Sequence, residues 1–231
     1  MKFQKVGAVF GLAGGLLVIA SVTLQSVGTT SLTELKPEAI VQWCVENQHH
    51  LFYQPLMMLA MMFFGVLLQA VEARIKPAAP NAAILGSRFG WMTVLLLTLM
   101  LLAQWFHIFL NAVVWERDIA VQFARLTFNS VTFFDLAAQP FLIGWLITTG
   151  IGGAAAGAFS KWLSWVTVAA GGILTLAWFG ELWQTVLAVP LAPYLQWIAP
   201  YTYFLLIWFS LELLFRSRSA QRGAADASAG A

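Results

Sequence analysis

Charge is what this chain has least of. Only 10% of its 231 residues are Asp, Glu, Lys or Arg, while 60% are hydrophobic, and mean hydropathy is +0.79. A soluble domain carries roughly a quarter of its residues charged. The deficit excludes an ordinary aqueous surface and makes lipid the main solvent. Cys44 is the single cysteine, which excludes an intrachain disulfide, a CxxC pair and a thiolate cluster for metal. A net charge of +2, without a basic stripe interleaved with aromatics, excludes nucleic-acid binding. Also absent are GxSxG, HExxH, a Walker loop and a glycine-rich phosphate loop after a strand, so no catalytic signature is present. Nothing in the sequence asks for a cofactor or a metal.

What is present is apolar and aromatic. The 11 Trp and 18 Phe suit a protein with aromatic belts at both membrane interfaces. Apolar runs at 6–24, 51–70, 89–114, 131–151, 162–186 and 196–215 predict an all-α polytopic fold of six transmembrane helices. These runs form one domain over 1–215, followed by a small, polar tail at 216–231 that reads as a disordered cytoplasmic segment. Residues 2–5 and the run after them also have the outline of a signal peptide. The run is long for one and lacks a clean cleavage site, so a retained helix is expected. Gly7, Gly11 and Gly15 recur every fourth residue there, a smooth groove for close approach of a partner helix.

Basic residues set the orientation. With both termini inside, the inner segments hold Lys2, Lys5, Arg74, Lys76, Arg88, Lys161, Arg216, Arg218 and Arg222. The outer loops hold only Lys36, Arg117 and Arg125, as the positive-inside rule requires. Two short amphipathic helices are expected in the outer loops. One covers 37–48, where Pro37 suits the first turn and Ile40, Val41, Cys44 and Val45 recur at helical spacing. The other covers 115–130 and is expected to lie flat on the outer leaflet, with Ile119, Phe123 and Leu126 on one side. The glycines at 150, 152, 153 and 157 read as a loose exit from the fourth span. At the inner surface Glu72 is expected near Arg74 or Lys76, and Glu212 near Arg216.

The segments QKVGAVFGLAGGLL, FFDLAAQPFLIGWLI and SKWLSWVTVAAGGILTL, in this order, resemble a group of uncharacterised bacterial six-helix membrane proteins known only as a domain of unknown function. The resemblance implies six helices and a bacterial inner-membrane location. It implies no activity and no functional residue.

Candidate functional residues come from polar groups inside apolar runs. Gln104, His107 and Asn111 follow at steps of three and four, which places them on one helix face. Asp135 with Gln139, and Glu181 with Gln184, fall near the outer ends of two later spans. Polar groups at such depth need partners inside the protein or in a wet cavity. If they converge, a carboxylate beside His107 makes an outward-facing polar pocket for a small apolar or amphipathic molecule. An acid–base pair acting on a lipid is the enzymatic alternative, and the sequence leans away from it. A non-catalytic accessory subunit docking through Gly7, Gly11 and Gly15 is the other. The adjacent His49 and His50 point about 100° apart on a helix and do not chelate one metal, so they read as exposed loop residues. Met57, Met58, Met61 and Met62 read as packing.

Overall fold

A computed structural model describes residues 2–25, 36–187 and 203–215. Every element among them is helical: α1 (Lys2–Gln25), α2 (Pro37–Glu46), α3 (His50–Ile75), α4 (Pro80–Phe109) continued by a π-helical turn (Leu110–Val114), α5 (Arg117–Ala155), α6 (Lys161–Leu187) and α7 (Tyr203–Phe215). Five of these helices are long and apolar enough to cross a membrane, and α7 is a shorter apolar helix. The beginning of the expected sixth span, the tail after 215 and Arg216 lie outside the described residues.

The helices pack α1 on α3, α3 on α4, α4 on α5 and α5 on α6. α7 closes the bundle. Its Phe209 is fully buried, meeting Trp145 of α5 and Phe159 of the α5–α6 turn. Its Ser210 and Ile207 face α1. This is where the glycine groove is used: a Cβ on Gly7 would strike Ala70 of α3, one on Gly11 would strike Ser210, and one on Gly15 would come within 2.6 Å of Ile207. The chain fills its own groove.

The amphipathic helix expected at 37–48 is present as α2, with Ile40, Val41 and Cys44 turned inward. A separate flat helix at 115–130 is not. α5 runs unbroken for 39 residues, roughly 58 Å. No Gly or Pro interrupts 117–139, so nothing stops the helix. Its small face, Ala120 and Ala124, is fully buried beside Ile40 and Val41, while Ile119, Phe123 and Leu126 are exposed. The glycines expected to loosen the exit at 150–153 lie inside α5 as points of close approach, Gly150 against Ser164 and Val168 and Gly152 against Ala82. The turn comes afterwards, at Gly157, whose φ of 58° is a left-handed conformation that glycine adopts without a steric penalty. The connection between α3 and α4 is also shorter than expected, because Pro80 serves as a first-turn residue and α4 begins well before Phe89.

At the Gly157 end, a tertiary cap stabilises the first turn of α6. The Ser160 hydroxyl accepts from the Leu163 N–H at 3.2 Å. Glu212 of α7 accepts from the Ser160 N–H at 2.7 Å and from the Ser160 hydroxyl. Arg74 Nε–H donates to the Ala158 carbonyl at 3.3 Å. Glu72 pairs with Lys76 at 3.5 Å, as the sequence suggested. Met57 and Met61 are core residues, whereas Met62 faces out.

Candidate functional site

The opposite end of the bundle gathers α2, the start of α3, the end of α4 with its π turn, and the start of α5. The π turn follows from local bonding: Trp115 N–H reaches the Leu110 carbonyl at 2.9 Å, one residue further back than in an α-helix. Pro55 helps to join α3 and α4. It has no N–H to give the Leu51 carbonyl, which instead accepts from Trp105 Nε1 at 3.2 Å.

His107 sits at the centre, 2% exposed. Its Nε2 lies 3.4 Å from Cys44 Sγ on α2, and its Nδ1 lies 2.6 Å from Thr127 Oγ1 on α5. Asn111 Nδ2 donates to the His107 carbonyl at 2.7 Å and to Thr127 Oγ1 at 3.2 Å, and stands 3.1 Å from His107 Nδ1. One proton assignment accounts for most of these contacts. The Thr127 hydroxyl donates to the Ala124 carbonyl at 3.1 Å, Nδ1–H donates to Thr127, and Nε2 accepts the Cys44 thiol proton. Phe128 covers the imidazole, its ring centroid at 6.0 Å.

This is a nucleophile, a base and an orienting hydroxyl in sequence-distant positions, the outline of an activated thiol. Burial argues against that activity. Cys44 is wholly inaccessible, and desolvation pushes its thiol from an ordinary 9.0 up to about 12. A thiol held neutral and out of solvent is inert. Its contact with His107 therefore clamps α2 onto the bundle.

At this end of the bundle lie polar atoms without a hydrogen-bond partner among the described residues. They are Asn111 Oδ1, both amide atoms of Gln54, His50 Nδ1 and Trp43 Nε1. Gln54 is 0% exposed and His50 only 4%, so His50 is no exposed loop residue. Three of these side chains lie near one another: the Trp43 and His50 rings are 5.6 Å apart, and Gln54 follows His50 by one turn of α3. Among the described residues no set of three His, Cys, Asp or Glu side chains is placed to hold a metal.

The sequence candidates separate into two heights. His107 and Asn111 meet, and Gln104 lies one turn before His107, half-buried. Asp135 lies eight residues beyond Thr127 on α5, about 12 Å further along the bundle. Gln139 is one turn further still and half-buried. The antiparallel register that sets Gly150 beside Val168 and Gly171 beside Ile147 brings residue 181 to the height of Asp135. The side chains of Glu181 and Gln184 lie outside the described residues. Cys44 and Thr127, missed as partners of His107, left only a weak trace in the sequence. Cys44 falls on the inward face of an amphipathic helix, and Thr127 is one hydroxyl in a stretch of several.

No family model matches the chain, and neither does any curated protein or solved structure.

Proposed function

We propose that this chain is a multi-pass protein of a bacterial inner membrane, with six spans and both termini cytoplasmic. In this reading it binds or carries a small apolar or amphipathic molecule whose polar head enters at the α2 end, facing outward. What supports this is the concentration of buried, unpaired polar atoms at the α2 end, on Trp43, His50, Gln54 and Asn111. Each such atom costs about 1–3 kcal/mol when unpaired. A bundle under selection for packing alone has apolar residues to use at Gln54 and Asn111. A head group, or water it displaces, supplies the missing partners.

The alternatives have less behind them. A lipid-modifying acid–base enzyme requires a carboxylate at the imidazole, and both ring nitrogens of His107 already face Cys44, Thr127 and Asn111. An accessory subunit docking through Gly7, Gly11 and Gly15 loses that surface to α3 and α7.

Gln54→Leu tests the proposal. The protein is purified in mild detergent, organic extracts are analysed by mass spectrometry, and thermal unfolding is followed in parallel. The expected outcome is a co-purifying amphipathic molecule in the parent that is depleted in the variant. A variant that is more stable and carries the same extract as the parent would identify Gln54 as a packing imperfection and end the binding reading.

A further inference from the structure

The end of the bundle away from α2 carries an open groove of about 560 Å³ between α3 and α4. Glu72, Ile84, Ser87, Arg88, Trp91 and Met92 line it. The volume is ordinary for a small-molecule site, but the groove opens on the bundle's flank instead of into an enclosed cavity. Its walls are apolar and turned outward, with Ile84 38%, Trp91 42% and Met92 38% exposed. Trp91 crosses from α4 to α3, where its ring would lie 2.7 Å from a Cβ on Gly65. Without a side chain at Gly65 the outer edge of the indole comes up against α3, and Trp91 forms one wall of the groove. The polar groups at the groove are the Ser87 hydroxyl, the exposed Arg88 guanidinium, and a Glu72 carboxylate that Lys76 holds at 3.5 Å.

We propose that this groove seats one anionic phospholipid, its phosphodiester on Arg88 and Ser87 and an acyl chain along Ile84, Trp91 and Met92. A groove open to the side of an apolar bundle meets acyl chains before it meets water. A planar guanidinium suits a phosphate oxygen pair, and an indole beside it is at home at headgroup depth. The preference for an anionic head follows from charge complementarity. Arg88 shares this end with Arg74, Lys76 and Lys161, and an ammonium head group would add a further cation among them. A second recess at this end, about 180 Å³, repeats the pairing of cation and indole with Lys161, Trp162 and Trp165. Its two tryptophans are 77% and 61% exposed. The groove is separate from the site at the α2 end and does not depend on it.

The test is native mass spectrometry of the full-length protein released from detergent, titrated with phosphatidylglycerol and with phosphatidylethanolamine of identical acyl chains. The first bound lipid is expected to favour phosphatidylglycerol by about fivefold, the factor that one basic residue contributes near an anionic surface. Arg88→Gln is expected to abolish that preference while leaving phosphatidylethanolamine adducts unchanged, and Arg88→Lys to keep part of it. Gly172→Ala, where an added Cβ meets nothing within 4 Å, is expected to leave it intact. Equal binding of the two lipids by the parent protein would overturn the proposal, as would a full preference in Arg88→Gln. Displacement of the lipid by millimolar inorganic phosphate would overturn it too, since it would show a small-anion site without a role for the chain.

Discussion

The two ends of this bundle differ in how many buried polar groups go unpaired: among the described residues, Ser164 Oγ near Gly157 and five atoms near α2. Near Gly157, Ser160 and Glu212 satisfy one another, the first turn of α6 is capped, and Arg74 reaches a turn carbonyl. Near α2, His107, Cys44, Thr127 and Asn111 are linked, yet five polar atoms at that end have no partner among the described residues. A closed polar network holds helices together, and an open one leaves bonding capacity for something else. The contrast separates a latch from a site more reliably than residue type does. The carboxylate Glu212 is the structural residue, and the neutral Asn111 is the candidate for function.

The contrast can be broken first where packing is tightest. Gly11→Leu places a side chain where a Cβ alone already strikes Ser210 and approaches Leu67 within 2.9 Å. We expect a loss of about 3 kcal/mol or more, since overpacking a close helix contact separates α1 from α7. Thermal unfolding in detergent measures it. Gly172 is the control, because a Cβ there meets nothing within 4 Å. Gly172→Ala is expected to gain up to about 1 kcal/mol from helix propensity.

Next comes the latch. Glu212→Ala removes a charged acceptor from the Ser160 N–H and hydroxyl, at an expected cost of about 2–3 kcal/mol in the same assay. Ser160→Ala is expected to add little in combination with it, because both remove one network. Additive losses would show that the cap and the α7 contact act separately.

At the open end, His107→Ala is expected to cost about 1–2 kcal/mol, less than its burial suggests, because its partners are neutral. The sharper readout is Cys44. In the parent protein a membrane-impermeant maleimide should leave the wholly buried thiol unlabelled. In His107→Ala, α2 loses its clamp and labelling should appear. Rapid labelling of the native parent would refute the clamp.

The last expected effect is a pH dependence. Cys44 has a folded pKa of about 12 against an ordinary 9.0, so the folded state holds its proton more tightly than the unfolded state. Its contribution to stability is complete below about pH 9 and declines as pH rises from there toward 12. Comparing parent and Cys44→Ala between pH 8 and 10.5 isolates this slope, which should vanish in the variant.

Much of the helical framework could be read directly from the residues. Long apolar runs, Pro37 at a first turn and the inward face of α2 are local signals, and the first five apolar runs each fall inside a described helix, although α4 begins at Pro80, ahead of its run. The expected flat helix at 115–130 failed for a reason that is itself local: no Gly or Pro separates it from the apolar run at 131–151. The site was only half legible. Spacing placed His107 and Asn111 on one face, but equal counting from helix ends grouped them with Asp135. Helices of unequal length and a π turn invalidate such counting, and the register between α4 and α5 sets the two heights about 12 Å apart.

Local sequence therefore specifies the elements and the surroundings they suit: few charges, and enough apolar length for helices compatible with a membrane. Packing between helices sets who meets whom. It gave the glycine groove of α1 to α3 and α7, Glu212 to Ser160, and His107 to Cys44 and Thr127 in place of a carboxylate. Local periodicity specifies which face of a helix is buried. The rotation and axial offset between two helices depend on the side-chain volumes of both, and no single stretch of sequence contains that information.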